Sequence, residues 1–415
     1  MAIPAKKVAS LFIPAHMMQE VKKKLLKSAF PIEQNKRVQT HIEAKGMNLV
    51  GYARAEMGIG ESCRIAARSL SAADIPFGII NFTGTNDARM SDHSWAHKEV
   101  KEPLYDVNVF HINAEQMLEI YAHYGSSIFN KRYNIGYWHW ELPDFPEKWV
   151  ENFNFVDEIW VPSNFVAKAI SLKSPVPVVR IPHGIEVKIE QPRSRSYFKL
   201  PEANTFLFLT MYDVKSYQER KNPQASIEAF KQAFEKDDMT VGLIVKVNIN
   251  HAELKEMKQL EEIIGDYRNI YLIKEVLSRN DVNALLVTSD CYISLHRSEG
   301  FGLGLAEAMY LGKPAIGTNW SSNTDFMNHN NSCPVNYELV SLGSTYGPYE
   351  AYQIWAEPDV SHASYYMKRL VEDTDYRNKI SKNGEQTIKL EFSPQKVGHL
   401  VKKRLEYIKI WNAGG

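Results

Sequence analysis

From residue 47 onward, short runs rich in β-branched and aromatic residues alternate with amphipathic segments of helix length. This alternation is typical of parallel sheets covered by helices on both faces. Candidate strands in the first half are MNLVGYA, FGIINF, VNVFHIN, NIGYWHW, DEIWVPS and VPVVRIP; those in the second half are FLFLTMY, VGLIVKVN, NIYLIKEV, DCYISLHRS and PAIGTN. The pattern predicts an α/β fold.

A polar segment, EVKIEQPRSRSYFKLPEAN at 186–204, separates the two series of strands. It carries charges and prolines without an apolar period, as interdomain connections do. We therefore predict Rossmann-like domains at 47–190 and 191–390, after a basic arm at 1–46. In the tail at 391–415, Val397, Leu400, Val401, Leu405 and Ile408 share one helical face, which predicts a helix that packs back across both domains.

Length and composition narrow the functional classes. A chain of 415 residues is long enough for two buried cores, and equal numbers of basic and acidic residues, 49 each, argue against a nucleic-acid partner. The three cysteines are far apart and form no metal-binding or disulfide pattern. Without a run of about 20 apolar residues, the sequence favours a cytoplasmic protein.

The arm at 1–46 has nine Lys or Arg against three Asp or Glu. Within it, Met17, Val21, Leu25 and Leu26 share a helical face beside several lysines, which suits a peripheral contact with the inner face of a membrane. A solvated tail explains the same composition, and liposome co-sedimentation after deletion of residues 1–40 separates the two interpretations.

The most informative segment is SEGFGLGLAEAMYLGKP at 298–314, which follows the strand CYISLH. A strand that leads through glycines into a helix start presents backbone N–H groups and the positive end of the helix dipole, which suits a diphosphate. Glu299 and Glu307 flank this loop, and carboxylates suit sugar or ribose hydroxyls. An ordinary strand-to-helix turn is the alternative; the dinucleotide and Walker A fingerprints do not fit.

A second segment, YQERKNPQASIEAF at 217–230, places Arg220 and Lys221 before another helix start, with Asn222 as the candidate cap and Pro223 at its first position. Two cations here would neutralise a departing diphosphate. Alone, the pair is typical of ordinary surface charge; beside the first segment it supports an anion site.

Together these segments resemble the family-4 retaining glycosyltransferases, marked by two glutamates separated by seven residues, here Glu299 and Glu307. The resemblance implies a GT-B fold, in which two Rossmann-like domains face each other across a cleft, and a nucleoside-diphosphate-sugar donor with no metal or other cofactor. It implies that Glu307 holds the ribose, Glu299 the donor sugar and Lys221 the diphosphate. Backbone N–H groups assist, at Phe301, Gly302, Leu303 and Gly304.

Many relatives place an arginine about five residues before the lysine, where this chain has Ser216. Arg220 is the first candidate for the second cation, and Lys246 at the end of VGLIVK is the next. In the first half, AEMGIGES at 55–62 resembles the family's glycine loop under the donor phosphates, through Gly58 and Gly60.

Two further strand ends, FHINAEQ and YWHWELPDFP, fall where relatives place acceptor-side or catalytic residues, often a histidine. Asn113 is the candidate at the first; His139, Trp140 and Glu141 are the candidates at the second. A core role for His139 between two tryptophans is equally consistent with the pattern, and Trp140 is a candidate for stacking on a sugar.

The sequence thus predicts a retaining glycosyltransferase with a glycan or lipid-linked acceptor, in polysaccharide or glycan assembly. Three alternatives remain: a nucleotide-sugar epimerase or phosphorylase on the same fold, a non-catalytic GT-B subunit, and a nicotinamide-dependent oxidoreductase. Product analysis tests for an epimerase or phosphorylase, and cofactor binding tests for an oxidoreductase. The presence together of Lys221, Glu299 and Glu307 argues against a non-catalytic subunit.

Overall fold

A computed structural model describes residues 42–84, 88–201, 204–248 and 254–413. The first sheet has the strand order β2-β1-β3-β4-β5-β6, and all its neighbouring strands are parallel. Its strands are β1 Met47–Gly51, β2 Phe77–Asn81, β3 Val107–His111, β4 Tyr133–Tyr137, β5 Glu158–Val161 and β6 Val178–Arg180. This sheet forms the N-terminal domain.

The second sheet, in the C-terminal domain, repeats the architecture with the order β12-β11-β10-β7-β8-β9. Its strands, also parallel, are β7 Phe206–Asp213, β8 Val241–Asn248, β9 Ile270–Ile273, β10 Cys291–Ser294, β11 Ala315–Thr318 and β12 Cys333–Val335. In each sheet the strand order reverses beside the first strand, between β1 and β3 and between β7 and β10. Ligands of open α/β sheets bind at the carboxyl ends next to such reversals.

Helices cover both sheets, as the alternation of strand-like and amphipathic segments predicts. The helices of the N-terminal domain are α1 Gly58–Ala72, α2 Met117–Tyr124 and α3 Asn164–Ser171, and those that follow are α4 Gln218–Lys221, α5 Pro223–Ala233, α6 Leu254–Ile264, α7 Arg279–Thr288, α8 Leu303–Tyr310, α9 Val360–Glu372, α10 Thr374–Glu391 and α11 Pro394–Ala413. Ser163 caps α3 by accepting from the Val166 N–H at 3.2 Å. The α/β prediction with two Rossmann-like domains is confirmed.

A ladder of buried asparagines fixes the register of the first sheet. Asn48 on β1 donates to Asn108 on β3 at 2.9 Å, and Asn108 donates to Asn134 on β4 at 2.9 Å. The three residues are aligned partners in the parallel pairing. Because an unpaired buried amide is costly, slipping one strand would leave polar groups unsatisfied.

The last helix, α11, belongs by packing to the N-terminal domain. Val397, Val401, Leu405 and Ile408 are buried in the same core cluster as residues of β1 and α1, as predicted, whereas Leu400 is exposed. Arg404 forms a two-pronged ion pair with the buried Glu158 of β5. The chain therefore crosses back to its first domain, while packing of this helix across both domains stays a prediction.

An antiparallel hairpin absent from the predicted elements follows β12. It consists of β13 Tyr337–Ser341 and β14 Ile354–Pro358, joined by residues 342–353, which we call the hairpin loop. Leu342, Tyr349 and Trp355 are buried in the core cluster of the N-terminal domain. The hairpin thus ties the two domains together.

The predicted arm boundary at residue 46 is too late. Ile42 is buried, and the Glu43 N–H donates to Asp106 of the N-terminal domain at 2.5 Å. Residues 42–46 therefore pack on the N-terminal domain, while the predicted membrane-surface segment lies outside the described residues. Within the described ranges, none of the helices combines the length and apolar character needed to cross a membrane.

Candidate active site

A cleft of about 2100 Å³ lies between the two domains. The ends of β3 and β4 contribute to it from the N-terminal domain, and the segments after β7 and β10 contribute from the C-terminal domain. These are the edges at which parallel sheets bind ligands. The cleft is therefore the candidate active site.

Lys221 and Glu299 meet in this cleft, as an ion pair between the segments that follow β7 and β10. The buried Arg220 donates to the Ser298 carbonyl at 2.8 Å and lies 3.6 Å from the same Glu299 oxygen. Burial alone would raise the pKa of Glu299, but the charges of Lys221 and Arg220 outweigh it and lower that pKa to about 2. Glu299 is thus an ionised hydrogen-bond acceptor at neutral pH.

The approach to this site is shaped by the turn before α5. Asn222 has the left-handed φ of +49°, and its side chain accepts from the Ala225 N–H, with Pro223 in the first turn, as predicted. Tyr217, four residues before Lys221 in sequence, has a φ of +64°. Such backbone angles in non-glycine residues are uncommon and hold the two cations at the start of the helix.

Glu307 marks the other end of the glycine loop, on the first turns of α8. It pairs with Arg279 at the start of α7, which sequence reasoning missed. Burial raises the pKa of Glu307, and the charge of Arg279 partly offsets the effect. The only signal in the sequence that could have indicated Arg279 is its position as a cation shortly after the strand NIYLIKEV.

Among the helices that begin at the cleft, α1 and α8 each start without a capping side chain. Gly302, with a φ of +94°, precedes α8, and Met57 precedes α1; neither start has a side-chain cap. Their first-turn N–H groups thus remain available to an anion in the cleft. Gly60 is required by close packing, because an added Cβ would lie 2.2 Å from the Ala55 carbonyl oxygen, whereas Gly58 has open space around it.

Lys246, the alternative second cation, also lines the cleft. It is almost fully buried at the end of β8 and donates to Asn248. Burial lowers its pKa to about 8, and the nearby Asp213 only partly offsets this. Both candidates for the second cation, Arg220 and Lys246, therefore face the same cavity.

His139 reaches the cleft from β4 and contacts a second histidine, His183, which the sequence analysis did not single out. Their Nε2 atoms are 3.2 Å apart, and His183 lies edge-on to Phe301 of the glycine loop. Burial lowers the pKa of His139 to about 4 and that of His183 well below its usual value. Both imidazoles are neutral at pH 7, and one donates to the other.

Two of the three acceptor-side candidates have polar groups at the cleft, and the third is buried. The Asn113 side chain accepts from the backbone N–H of His139 at 3.1 Å, and Glu141 lies in the cleft with its carboxylate accepting from the Tyr349 hydroxyl at 3.0 Å. Trp140 is 1% exposed, and its indole N–H donates to the Asp144 carbonyl at 2.9 Å. With its ring packed against Trp149, Trp140 has no open face for a sugar, so the stacking interpretation does not fit the structure.

The structure thus gathers most of the predicted site residues around one cavity: Gly58, Asn113, His139, Glu141, Arg220, Lys221, Lys246, Glu299, Phe301, Gly302, Leu303, Gly304 and Glu307. Their individual roles remain predictions. Within the described residues no cluster of three or more His, Cys, Asp or Glu is arranged to hold a metal ion.

Comparisons with known proteins identify the class of protein to which the chain is similar. Residues 204–387 match the family model "Glycosyl transferases group 1". A search of curated protein sequences finds no significant relative. Among solved structures, Anabaena HepE, crystallised with UDP and glucose, is similar with a TM-score of 0.61 and 15% identity over 88% of this chain and 100% of its own.

Two other similar structures extend the comparison. Sucrose-phosphate synthase from Thermosynechococcus elongatus has a TM-score of 0.63 at 12% identity, over 89% of this chain and 100% of its own. A glycosyltransferase from Rickettsia africae has a TM-score of 0.59 at 14% identity, over 88% and 98%. At these identities the likeness shows the fold, which is GT-B. With the family match in the C-terminal half, the chain is an enzyme of the glycosyltransferase class.

Proposed function

We propose that this chain transfers a sugar, with retention of configuration, from a nucleoside diphosphate sugar to an acceptor hydroxyl, as the family-4 enzymes it resembles do. The observation that supports this most is the arrangement around the uncapped start of α8. Glu299 and Glu307 stand on either side of it, and each is held by a cation from another segment.

In this proposal the bond between the anomeric carbon and the diphosphate oxygen breaks, and a bond to the acceptor oxygen forms. The acceptor proton leaves with the diphosphate. Negative charge grows on the diphosphate, where Lys221, Arg220 and the N–H groups at the start of α8 stabilise it. Glu307 accepts from the ribose hydroxyls and Glu299 from those of the donor sugar. Neutral His139 binds the sugar as a hydrogen-bond partner.

UDP is the first nucleotide to test, because HepE was crystallised with UDP and with UDP-glucose. Val276, Leu277 and Val282 line the cavity along with Arg279 and provide an apolar surface that suits a base. We propose a glycan or lipid-linked acceptor in polysaccharide assembly, with no metal or other cofactor, in a cytoplasmic protein that the basic arm brings to the inner membrane surface.

The test is a thermal-shift panel of UDP, GDP, ADP and NAD on the intact chain and on Lys221→Ala and Glu307→Ala. Saturation to about 100 times Kd stabilises a protein by about 2.7 kcal/mol, which corresponds to a rise of about 5–10 °C in melting temperature for a domain of this size. We expect one nucleoside diphosphate to give this rise with the intact chain and much less with either variant.

Matched controls are Lys403→Ala and Glu372→Ala, exposed residues of α11 and α9 that do not line the cleft. They should keep the full rise. Stabilisation by NAD alone, or by none of the four nucleotides, would refute the proposal. Incubation of the stabilising nucleotide's glucose, N-acetylglucosamine and galactose esters with glycan acceptors, followed by mass spectrometry, then separates transfer from epimerisation or phosphorolysis.

A further inference from the structure

The hairpin loop forms part of the cleft wall on the acceptor side. Thr345, Gly347, Pro348, Tyr349 and Glu350 line the cavity although they belong to the C-terminal half of the chain. The loop is anchored to the N-terminal domain by several contacts: Glu350 with Lys148 at 3.0 Å, Tyr352 with the Asp144 carboxylate at 2.6 Å, and Gln353 with the Asp144 carbonyl at 2.7 Å. This wall is therefore formed jointly by the hairpin loop and the N-terminal domain.

Tyr349 is the buried residue that anchors the hairpin loop. It is 3% exposed, its hydroxyl donates to Glu141 at 3.0 Å, and its ring lies edge-on to Tyr217 at 5.3 Å. The loop backbone lies directly on Tyr217, since an added Cβ at Gly347 would come within 1.8 Å of the Tyr217 hydroxyl. The carboxylate of Glu141 is thus held by a residue that also packs beside the donor-site turn.

Glu141 lies next to the glycine loop that carries Glu299. The Ser298 hydroxyl donates to the Glu141 carbonyl, and an added Cβ at Gly300 would lie 3.7 Å from its carboxylate oxygen Oε1. Because Gly300 directly follows Glu299, the proposed ligand of the donor sugar, Glu141 lies where donor sugar and acceptor meet. Its carboxylate therefore lies beside the loop that carries Glu299.

The cations of this wall are already paired. Among the described lining residues of the N-terminal domain, Lys and Arg occur at Arg64, Arg89 and Lys148, and these pair with Glu61, Glu56 and Glu350. Further carboxylates line the same wall at Asp92, Glu115, Glu119 and Glu141. The wall is therefore net negative, while the donor side, with Lys215, Arg220, Lys221, Lys246 and Arg279, is net positive.

We propose that the hairpin loop and the N-terminal domain together form an acceptor subsite for an uncharged sugar, with Glu141, positioned by Tyr349, accepting from an acceptor hydroxyl. Carboxylates bind neutral hydroxyls well, whereas a uronate, sulfate or phosphate near the reacting hydroxyl meets like charge and no unpaired cation of this wall. This inference rests on the proposed glycosyl transfer and adds its acceptor class.

The test uses the full chain, saturated with the nucleoside diphosphate that the thermal-shift panel selects, on an array of neutral glycans and matched uronate, sulfate and phosphate glycans. Ionic strength is held at about 0.15 M, so that surface charges farther than about 8 Å are screened. We expect neutral glycans to bind at least tenfold more tightly than their acidic counterparts.

Charge reversal sharpens the result. Glu350→Lys should strengthen binding of acidic glycans about tenfold relative to neutral ones, because Lys148 loses its partner and a second cation is added. The control, Glu372→Lys, adds the same charge at an exposed site on α9 and should leave the ratio unchanged. Equal changes in both variants would indicate a general charge effect and overturn the proposal.

Tyr349→Phe tests the positioning role. It should keep the nucleotide-induced rise in melting temperature but weaken neutral glycan binding severalfold, because Glu141 loses its fixed orientation. Tighter binding of acidic glycans by the intact chain, or no neutral binding while the nucleotide still stabilises it, would overturn the acceptor class. Failure of every nucleotide to bind would instead overturn the proposed function, and this inference with it.

Discussion

Lys246 offers a test that separates the two candidates for the second diphosphate cation. Its ammonium group is buried at the end of β8 with a pKa of about 8. At pH 7 about nine-tenths of such a group is protonated, and at pH 9 about one-tenth. If Lys246 contacts the diphosphate, nucleotide affinity should fall about tenfold over these two pH units. A tenfold loss corresponds to about 1.4 kcal/mol, just under the value of a hydrogen bond to a charged group, about 1.5–3 kcal/mol.

The matched variant is Lys246→Arg, which keeps the charge but stays protonated throughout this range. Isothermal titration of UDP, or of the nucleotide that the thermal-shift panel selects, at pH 7, 8 and 9 and constant ionic strength measures both proteins. The terminal phosphate of the nucleotide stays ionised over this range because its pKa is near 6, and titration of the base affects both proteins alike. We expect the affinity of the intact chain to fall about tenfold more than that of the variant.

The stability of the ligand-free chain should change in the opposite direction. The pKa of Lys246 in the folded chain is depressed from 10.5 to about 8, so the unfolded chain binds more protons between these values. Stability from this residue therefore rises with pH, by about 1.4 kcal/mol per pH unit, relative to Lys246→Arg. Parallel affinity profiles for the two proteins would refute the role of Lys246 and leave Arg220 as the second cation.

Two further perturbations test stability. Gly60→Ala should lower the free energy of unfolding by at least about 2 kcal/mol, because the added Cβ would meet a backbone carbonyl at 2.2 Å. Gly58→Ala, which has open space around it, should be neutral or slightly stabilising; equal losses for the two variants in urea denaturation would contradict the packing argument. Arg404→Met should lower the free energy of unfolding by about 3–5 kcal/mol, because the buried Glu158 loses its cationic partner. Lys403→Met, at an exposed position on the same helix, should change it little in the same urea experiment. A small loss for Arg404→Met would show that the buried Glu158 is tolerated without Arg404.

The strands of both sheets were predictable because they are short apolar runs bounded by turn residues, as in FLFLTMY and VGLIVKVN. The two segments around Lys221 and Glu299 were predictable for a related reason. Each follows such a strand and opens a helix, so the topology places both at the same edge of the sheet. The resemblance assigned both residues to one donor, and the structure pairs them in one cleft.

Other parts of the site depend on contacts that no local pattern records. Trp140 was a candidate for stacking on a sugar, but its ring is buried, and the turn that follows it folds back so that the Asp144 carbonyl accepts from its indole N–H. The hairpin loop is polar and glycine-containing, and its role arises from tertiary contacts of Tyr349 with Glu141, 208 residues away in the chain. Arg279 likewise becomes informative only through its ion pair with Glu307 in the folded chain.

The return of α11 to the N-terminal domain affects how the protein is made. The last strand of that domain ends at Arg180, and α11 begins at Pro394, so roughly 200 residues separate two neighbouring parts of one core. At about 5–20 residues per second, the ribosome needs about 10–40 s to bridge this gap. During that interval the faces of β1 and α1 that α11 covers stay exposed on the nascent chain. The domain made first is thus completed last, after the C-terminal domain has been synthesised.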